Sequence, residues 1–304
     1  MNDDKEGVFS GIDPERLADL DDVWKHDVSL FLPWHFRQEA IDGKQYNTWH
    51  SQRYNGPANI WITGTCTSSM DVARVLIEEK RMAPWSSVLV ARQTAGRGQR
   101  KRSWISPAGN IYGTWFWTFD GEKASRYKHL ASLLAGDILA SVFREMNLDV
   151  AVKWPNDIVL DNHKLCGILV EERGGQMLVG IGINLVSAPT ASVFHDDFVL
   201  PAACLNASGM SVTPLSFWEK LVTVGKERFE RITTTMSPEA FLADLETNMA
   251  WIDADIRVRV GNESPFVARL LGIAPDGGLK LLRDGHVAVI YAATIRPLEP
   301  VARF

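Results

Sequence analysis

The sequence predicts an α+β fold: a mixed β-sheet with helices packed on it, followed by a small C-terminal β-barrel. Three observations point there. Between residues 59 and 119, apolar strand-like runs alternate with a segment of helical spacing. Between 150 and 186, polar turns and a glycine pair cut an apolar stretch into a β-meander. From about Asp253 the chain becomes a series of short strands divided by Gly, Asp and Asn turns, as in a small barrel. The expected division is residues 1–58 as an N-terminal extension, 59–252 as the main domain and 253–304 as the C-terminal domain.

In chain order, residues 1–58 spread Trp24, Trp34 and Trp49 among acidic residues. Such aromatics bury well against a neighbour, so the expectation is an extension that docks on the main domain as a cap, or a partner-binding or regulatory arm. The run IWI at 60–62 reads as a strand. The stretch MDVARVLIEEK then puts Met70, Val72, Ala73, Leu76 and Ile77 on one broad helical face, with Ser68 or Ser69 as N-cap and Asp71 in the first turn. SSVLVARQ reads as a strand, TAGRGQRKRSWISPAGN as a long Gly- and Arg-rich loop, and NIYGTWFWTF as an aromatic strand of a buried sheet. Residues 127–147 have amphipathic helical spacing. VAVKWPND, IVL, LCGILVEER and QMLVGIGINLV form the meander, with Gly174-Gly175 as a hairpin turn. Residues 214–232 and 238–250 each open near a proline and read as helices.

Composition narrows the function. The net charge is −5, and residues 1–58 hold six Lys/Arg against eleven Asp/Glu, while the other 246 residues balance. A neutral body with local basic clusters suits small anions better than a nucleic acid, and no basic recognition helix is evident. No apolar run is long enough for a bilayer, and the acidic start lacks the order of a secretory signal. Cys66, Cys166 and Cys204 are sparse, odd in number and without metal spacing, which suits a reducing compartment and a cytoplasmic protein. The seven histidines show no zinc spacing.

Three segments carry chemistry. In Gln93-Thr94-Ala95-Gly96-Arg97-Gly98-Gln99-Arg100-Lys101-Arg102-Ser103-Trp104, glycines let backbone N–H groups approach a ligand and guanidinium groups pair with carboxylate or phosphate oxygens. Standing alone, the same stretch reads nearly as well as a basic surface loop. Lys153-Trp154-Pro155-Asn156-Asp157 places a cation, an amide and a carboxylate at a strand end, with Lys164 and Gly167 on the next strand; the bland alternative is a solvated turn. Gly180 and Gly182, before Ile183-Asn184, weaken a strand interior and imply close approach of something on one face, whether ligand or packing neighbour. Neither a P-loop nor a dinucleotide fingerprint is present. No Ser–His or Cys–His pairing is evident, and Cys166 reads as a small buried hydrophobe.

Taken together and in order, these segments resemble the catalytic domain of the biotin–protein ligases. The matching positions are Ser68-Ser69-Met70, Gly96-Arg97-Gly98 through Arg102 and Trp104, Lys153 to Asp157, Lys164 with Gly167, and Gly180 to Asn184. The resemblance covers residues 59–300 and implies a class II synthetase-like sheet with an SH3-like C-terminal barrel. It implies an ATP-dependent ligase that makes biotinyl-5′-AMP and passes biotin to a lysine of a biotin carboxyl carrier protein or domain. By the same resemblance Lys164 and Arg97 are catalytic. Biotin falls to Ser68, Ser69, Met70, Gln93, Gly96, Arg97, Gly98, Gln99, Lys164, Gly167 and Gly182. ATP and its phosphates fall to Arg100, Arg102, Trp104, Lys153, Asn156 and Asn184, and Mg²⁺ arriving with the nucleotide to Asn156 and Asp157. Ser69 stands where the family usually has Thr, and Gln99 where many members have Arg. The winged-helix DNA-binding domain of bifunctional members is not evident, so no DNA and no membrane partner is expected; a homodimer through a sheet edge is compatible. Lipoate or octanoate transferases of the same superfamily, a non-catalytic biotin sensor and a nucleic-acid-binding regulator are the competing readings.

Overall fold

The computed structural model describes residues 7–41, 43–51, 53–54, 56–190, 198–209 and 212–299. Its strands and helices follow one another as β1 (Val8–Ser10), α1 (Pro14–Ala18), α2 (Asp22–Leu30), β2 (His35–Ile41), β3 (Lys44–Ser51), β4 (Ile60–Cys66), α3 (Ser69–Glu78), β5 (Ser87–Gln93), β6 (Ile111–Trp117), α4 (Gly121–Ser125) and α5 (Ala131–Glu145). Then come β7 (Val150–Lys153), β8 (Asp157–Leu160), β9 (His163–Arg173), β10 (Gln176–Ile183), α6 (Pro214–Thr235), α7 (Pro238–Glu246), β11 (Asp255–Arg259), β12 (Phe266–Ile273), β13 (Leu279–Arg283), β14 (His286–Ile290) and β15 (Thr294–Pro297). The chain forms two compact units: Met1–Thr118, Gly167–Ala188 and Cys204–Glu227 make the first, and Phe119–Cys166, Pro189–Ala203 and Arg228–Phe304 the second.

In the first unit the strand order is β2-β3-β1-β4-β5-β6-β10-β9. The strands β4 and β5 are parallel, β5 and β6 antiparallel, and β6 and β10 antiparallel, which makes the sheet mixed. Every residue of β6 is buried, as expected of a strand covered on both faces. On one face lies α3, whose Met70, Ala73 and Leu76 pack with Trp61, Val88, Val90, Tyr112, Phe116 and Leu178. On the other, Trp218 of α6 lies so close to Gly113 that a Cβ there would stand 2.1 Å from the indole. The same indole donates to Ser87 Oγ at 2.8 Å.

The N-terminal extension is part of this sheet rather than a cap on it. The strand β1 runs parallel to β4 and antiparallel to β3, and β2 pairs with β3 as a hairpin. Its two helices begin on carboxylate caps: Asp13 accepts from Glu15 N and Asp21 from Val23 N. Two of the segment's acidic residues are thus helix starts.

In the second unit α5 packs on the antiparallel pair β7–β8. Buried Asp137 of α5 accepts a two-pronged bond from Arg228, with Nε at 2.7 Å and Nη2 at 2.9 Å. The C-terminal strands form an antiparallel sheet of order β14-β13-β12-β11-β15, with an irregularity between Leu270 and Gly272. Among the described residues pairing ends at β14 and β15, so what the strand pairing defines is a five-stranded sheet and not the closed barrel the sequence predicts. Among the described residues no helix is long and apolar enough to cross a membrane.

Candidate functional site

In the first unit the predicted ligand loop is an ordered hairpin. Backbone bonds Trp104 N→Gly96 O (2.9 Å) and Gly98 N→Arg102 O (2.8 Å) zip its arms, and a 3₁₀ turn at Gln99–Lys101 makes its tip. The tip holds Arg100 at φ 54°, an uncommon value for a residue with a side chain. Gly96 is obligatory for a steric reason: a Cβ there would meet Trp104 O at 2.6 Å and Ser106 Oγ at 2.7 Å. Arg97, Arg100 and Arg102 are exposed, whereas Gln99 and Gly98 are half-buried.

The floor beside this hairpin is a chain of polar contacts. Ser68 caps α3 by accepting from Met70 N. Ser69 N donates to Gln93 Oε1 at 2.8 Å, Gln93 Nε2 donates to Ser106 Oγ at 3.0 Å, and Thr114 Oγ1 donates to Ser69 Oγ at 2.8 Å. Ser68 and Ser69 are buried. Four side chains from α3, β5, β6 and the hairpin's return arm therefore fix one another's rotamers. Arg97 is held by α3: its Nη1 and Nη2 lie 3.1 and 2.7 Å from the two oxygens of Asp71. That carboxylate also takes Thr67 Oγ1 and Arg74 Nη1, and Arg74 continues to Glu171. Arg97's hydrogen bond holds the Asp71 carboxyl below its usual range despite partial burial.

The close approach expected at the two glycines of β10 is a packing contact in the first unit. Gly182 lies under the Trp104 indole, 2.6 Å from where its Cβ would be, and Gly180 faces Met70. Asn184 is buried, and its carbonyl accepts from Leu205 N. The turn after it is gathered by Asn110, whose Oδ1 accepts from the backbone N–H groups of Leu185, Val186 and Ser187 at 2.8–3.1 Å.

The second unit brings Lys153, Asp157 and Lys164 together. Lys153 Nζ lies 2.9 Å from Asp157 Oδ2, and Lys164 Nζ 2.6 Å from Oδ1. Lys153 is buried with Asp157, while the Lys164 side chain keeps 29% of its surface exposed. Burial alone would raise the Asp157 pKa; the two ammonium charges outweigh it and bring the value to about 2. The cluster is net positive and turns its accessible charge, Lys164, outward. Such a group attracts anions and repels a bare cation. Asp157 is thus poorly suited to bind Mg²⁺ directly, and among the described residues no three acidic, His or Cys side chains are grouped for a metal. Asn156 is half-buried in the same turn. Cys166 is wholly buried with its thiol pushed upward, and burial raises Cys66 to about 11, so neither supplies a thiolate near neutral pH.

Ser68, Ser69, Met70, Gln93, Gly96, Arg97, Gly98, Gln99, Arg100, Arg102, Trp104, Gly167, Gly182 and Asn184 belong to the first unit, and Lys153, Asn156, Asp157 and Lys164 to the second. Sequence reasoning missed the supporting residues Ser106, Asn110 and Thr114, and read Asp71 only as a first-turn acid. Asn110 had one signal, an amide side chain where the loop meets a strand.

Residues 63–186 match the biotin/lipoate A/B protein ligase family. The chain is 35% identical over 236 residues to the biotin–[acetyl-CoA-carboxylase] ligase of Paracoccus denitrificans, covering 74% of this chain and 93% of that protein. It is 33% identical over 205 residues to the bifunctional ligase/repressor BirA of Escherichia coli, covering 64% of this chain and 61% of BirA, so it spans under two thirds of that relative. The biotin protein ligase of Aquifex aeolicus, solved with biotin and ATP, shares the fold with a TM-score of 0.65 at 21% identity, covering 79% of this chain and 99% of that one. The chain belongs to the biotin–protein ligase family.

Proposed function

We propose that this chain activates biotin with ATP and transfers it to a lysine of a biotin carboxyl carrier protein or domain. In the first half-reaction a biotin carboxylate oxygen bonds to the α-phosphorus while the bond to the β-phosphate oxygen breaks, giving biotinyl-5′-AMP and pyrophosphate. In the second, an acceptor ε-amine attacks the acyl carbon, AMP leaves, and the amine loses a proton. The attacking group of the first step is already an anion, so the protein needs positive charge and alignment rather than a nucleophile of its own. The observation that carries the reading is the pair of ammonium groups on one buried carboxylate, with Lys164 left accessible.

In this reading Lys164 is the principal catalytic cation, meeting the biotin carboxyl and the α-phosphate. Arg97, Arg100, Arg102 and Lys153 steady phosphate oxygens, with Asn156 and Asn184 at the nucleotide and Trp104 near the adenine. Ser68, Ser69, Met70, Gln93, Gly96, Gly98, Gln99, Gly167 and Gly182 form the biotin wall. Mg²⁺ travels with the triphosphate rather than residing on Asp157. Residues 59–252 carry the ligation, and 253–304 an SH3-like accessory domain on a class II synthetase-like core. The reaction is cytoplasmic, and the outermost strand β2 is an edge through which two copies can pair. A thioester route, the alternative for an acyl transferase, lacks an accessible low-pKa thiol in Cys66 and Cys166.

Purified protein incubated with ATP, Mg²⁺ and either biotin or lipoate tests this by pyrophosphate release and mass spectrometry of the adenylate. Biotinyl-5′-AMP from biotin alone is the expected result. An adenylate made only from lipoate would assign the chain to the other branch of the family, and none from either acid would leave a binding protein.

A further inference from the structure

The two segments that carry the lysine–aspartate cluster are both fastened to the C-terminal sheet inside the second unit. Lys164 is flanked by the segment 201–203: its backbone N–H donates to Pro201 O at 2.7 Å, and its carbonyl accepts from Ala203 N at 2.9 Å. The two sides form a parallel bridge at Ala202. Three residues before Pro201, the buried ring of Phe198 faces two guanidinium groups of β11, Arg259 at 4.4 Å and Arg257 at 5.2 Å from its centroid. Those arginines alternate with an inward residue along β11, so both point to one side of the strand. Separately, Trp154 between Lys153 and Pro155 donates its indole N–H to Gly277 O at 3.0 Å. Gly277 lies in the β12–β13 turn at φ +86°, against Leu130 just ahead of α5.

We infer that the C-terminal sheet sets the position of Lys164, with Phe198 as the positioning residue that links the two. A lysine side chain has four rotatable bonds, so Lys164 Nζ is no better placed than its backbone. One side of that backbone rests on a strap whose anchor is a ring gripped by two cations. The grip needs an aromatic face, since a leucine of similar bulk offers no quadrupole to a guanidinium. Phe198 meets no reacting atom in this role; it acts through residues 199–203. The inference rests on the ligase reading above for its catalytic consequence, but its structural half does not.

The test compares Phe198→Leu, Phe198→Trp and the double variant Arg257→Met/Arg259→Met in the full chain, by two readouts. The first is hydrogen exchange of the Lys164 amide, which needs no substrate. The second is steady-state pyrophosphate release with biotin and ATP. Phe198→Leu and the double methionine variant are expected to speed Lys164 exchange and to lower kcat by about tenfold or more with KM for biotin little changed. Phe198→Trp keeps both near wild type. Wild-type exchange and kcat in the double variant would overturn the inference. So would a Phe198→Leu loss confined to KM for ATP, which would make Phe198 a ligand contact. Absence of adenylate from the unmodified protein would instead sink the ligase reading and leave the exchange result to judge the strap.

Discussion

Arg97 gives both terminal nitrogens to Asp71, at 2.7 and 3.1 Å, so a central cation of the Gly-Arg hairpin is paired with α3. A phosphate oxygen that claims Arg97 competes with that carboxylate. Asp71→Asn is therefore expected to lower KM for ATP by about two- to fivefold, the scale of a partly exposed ion pair, with kcat little altered. The hairpin should also become easier for trypsin to cut at Arg100 and Arg102. A rise in KM would mean that Asp71 orients Arg97 for the phosphate instead of competing for it. Asp71 has a lowered pKa, so the latch is fully ionised above the ordinary carboxylate value and fails only as pH falls through the lower folded one. Assays between pH 6 and 8 should show the same Asp71→Asn effect throughout.

Lys164→Ala removes the accessible cation but leaves Asp157 its partner Lys153 at 2.9 Å, so the variant should fold. Adenylate formation is expected to drop by about 10²–10³-fold, the loss seen when one preorganised electrostatic group is deleted. Arg97→Ala should chiefly weaken substrate retention, visible as a raised KM. Asp157→Asn is the contrasting change. It strands two ammonium groups, one of them buried, and should cost about 3–5 kcal/mol in urea unfolding. Normal adenylate synthesis by Lys164→Ala would remove Lys164 from the mechanism.

The sequence revealed the elements whose pattern is local. Ser68 and the Met70, Ala73 and Leu76 stripe placed α3, and the Gly174-Gly175 turn separated β9 from β10. It showed where two of the cluster's members meet, because a Pro-Asn-Asp turn between short strands pairs positions 153 and 157 by register, and it set Lys164 at the start of the next strand; that both ammonium groups hold the Asp157 carboxylate was not legible. Pairing between distant segments was not legible. Val8–Ser10 is three residues long and is a strand because β4 and β3 flank it. The contacts of Asp71 with Arg97, and of Asn110 with three later N–H groups, span 26 and about 75 residues and leave no periodic trace. The glycines of β10 showed that something approaches closely; that it is Trp104 and Met70 is a tertiary fact.

Asp27 of α2 is wholly buried, and its carboxylate accepts Leu215 N at 2.8 Å and Thr213 Oγ1, satisfying the first turn of α6. Burial raises its pKa to about 6, with the hydrogen bonds from Thr213 and Leu215 opposing the rise. The sign follows from linkage: between the unfolded value near 3.8 and about 6 the folded state holds the extra proton. The contribution is thus full below pH 4 and lost as pH rises through 6, amounting to roughly 3 kcal/mol at most. Urea midpoints of the wild type should fall across that window relative to Asp27→Asn. The variant's own stability should be lower by about 1–3 kcal/mol, since the two donors sit on different carboxylate oxygens and one of them would face the amide NH₂, which cannot accept. Parallel pH curves for the two proteins would exclude Asp27 as the titrating group.

Gly182 and Gly180 look alike in sequence but meet different neighbours. A Cβ at 182 would stand 2.6–2.8 Å from three atoms of the Trp104 indole, a rigid ring whose backbone is itself tied to Gly96. A Cβ at 180 would meet Met70 Sδ at 3.0 Å and Leu169 O at 3.3 Å, and a thioether can turn aside. Gly182→Ala is therefore expected to cost about 1–3 kcal/mol by overpacking and to push the hairpin's return arm outward, with adenylation falling alongside. Gly180→Ala should lie within about 1 kcal/mol of wild type. Adding Trp104→Phe to Gly182→Ala should recover part of the stability, because the two positions are in contact and their effects do not add. Urea unfolding of the four proteins in the cycle measures this. Additive costs would show that position 182 needs glycine for its backbone or for a ligand, and that the indole merely rests above it.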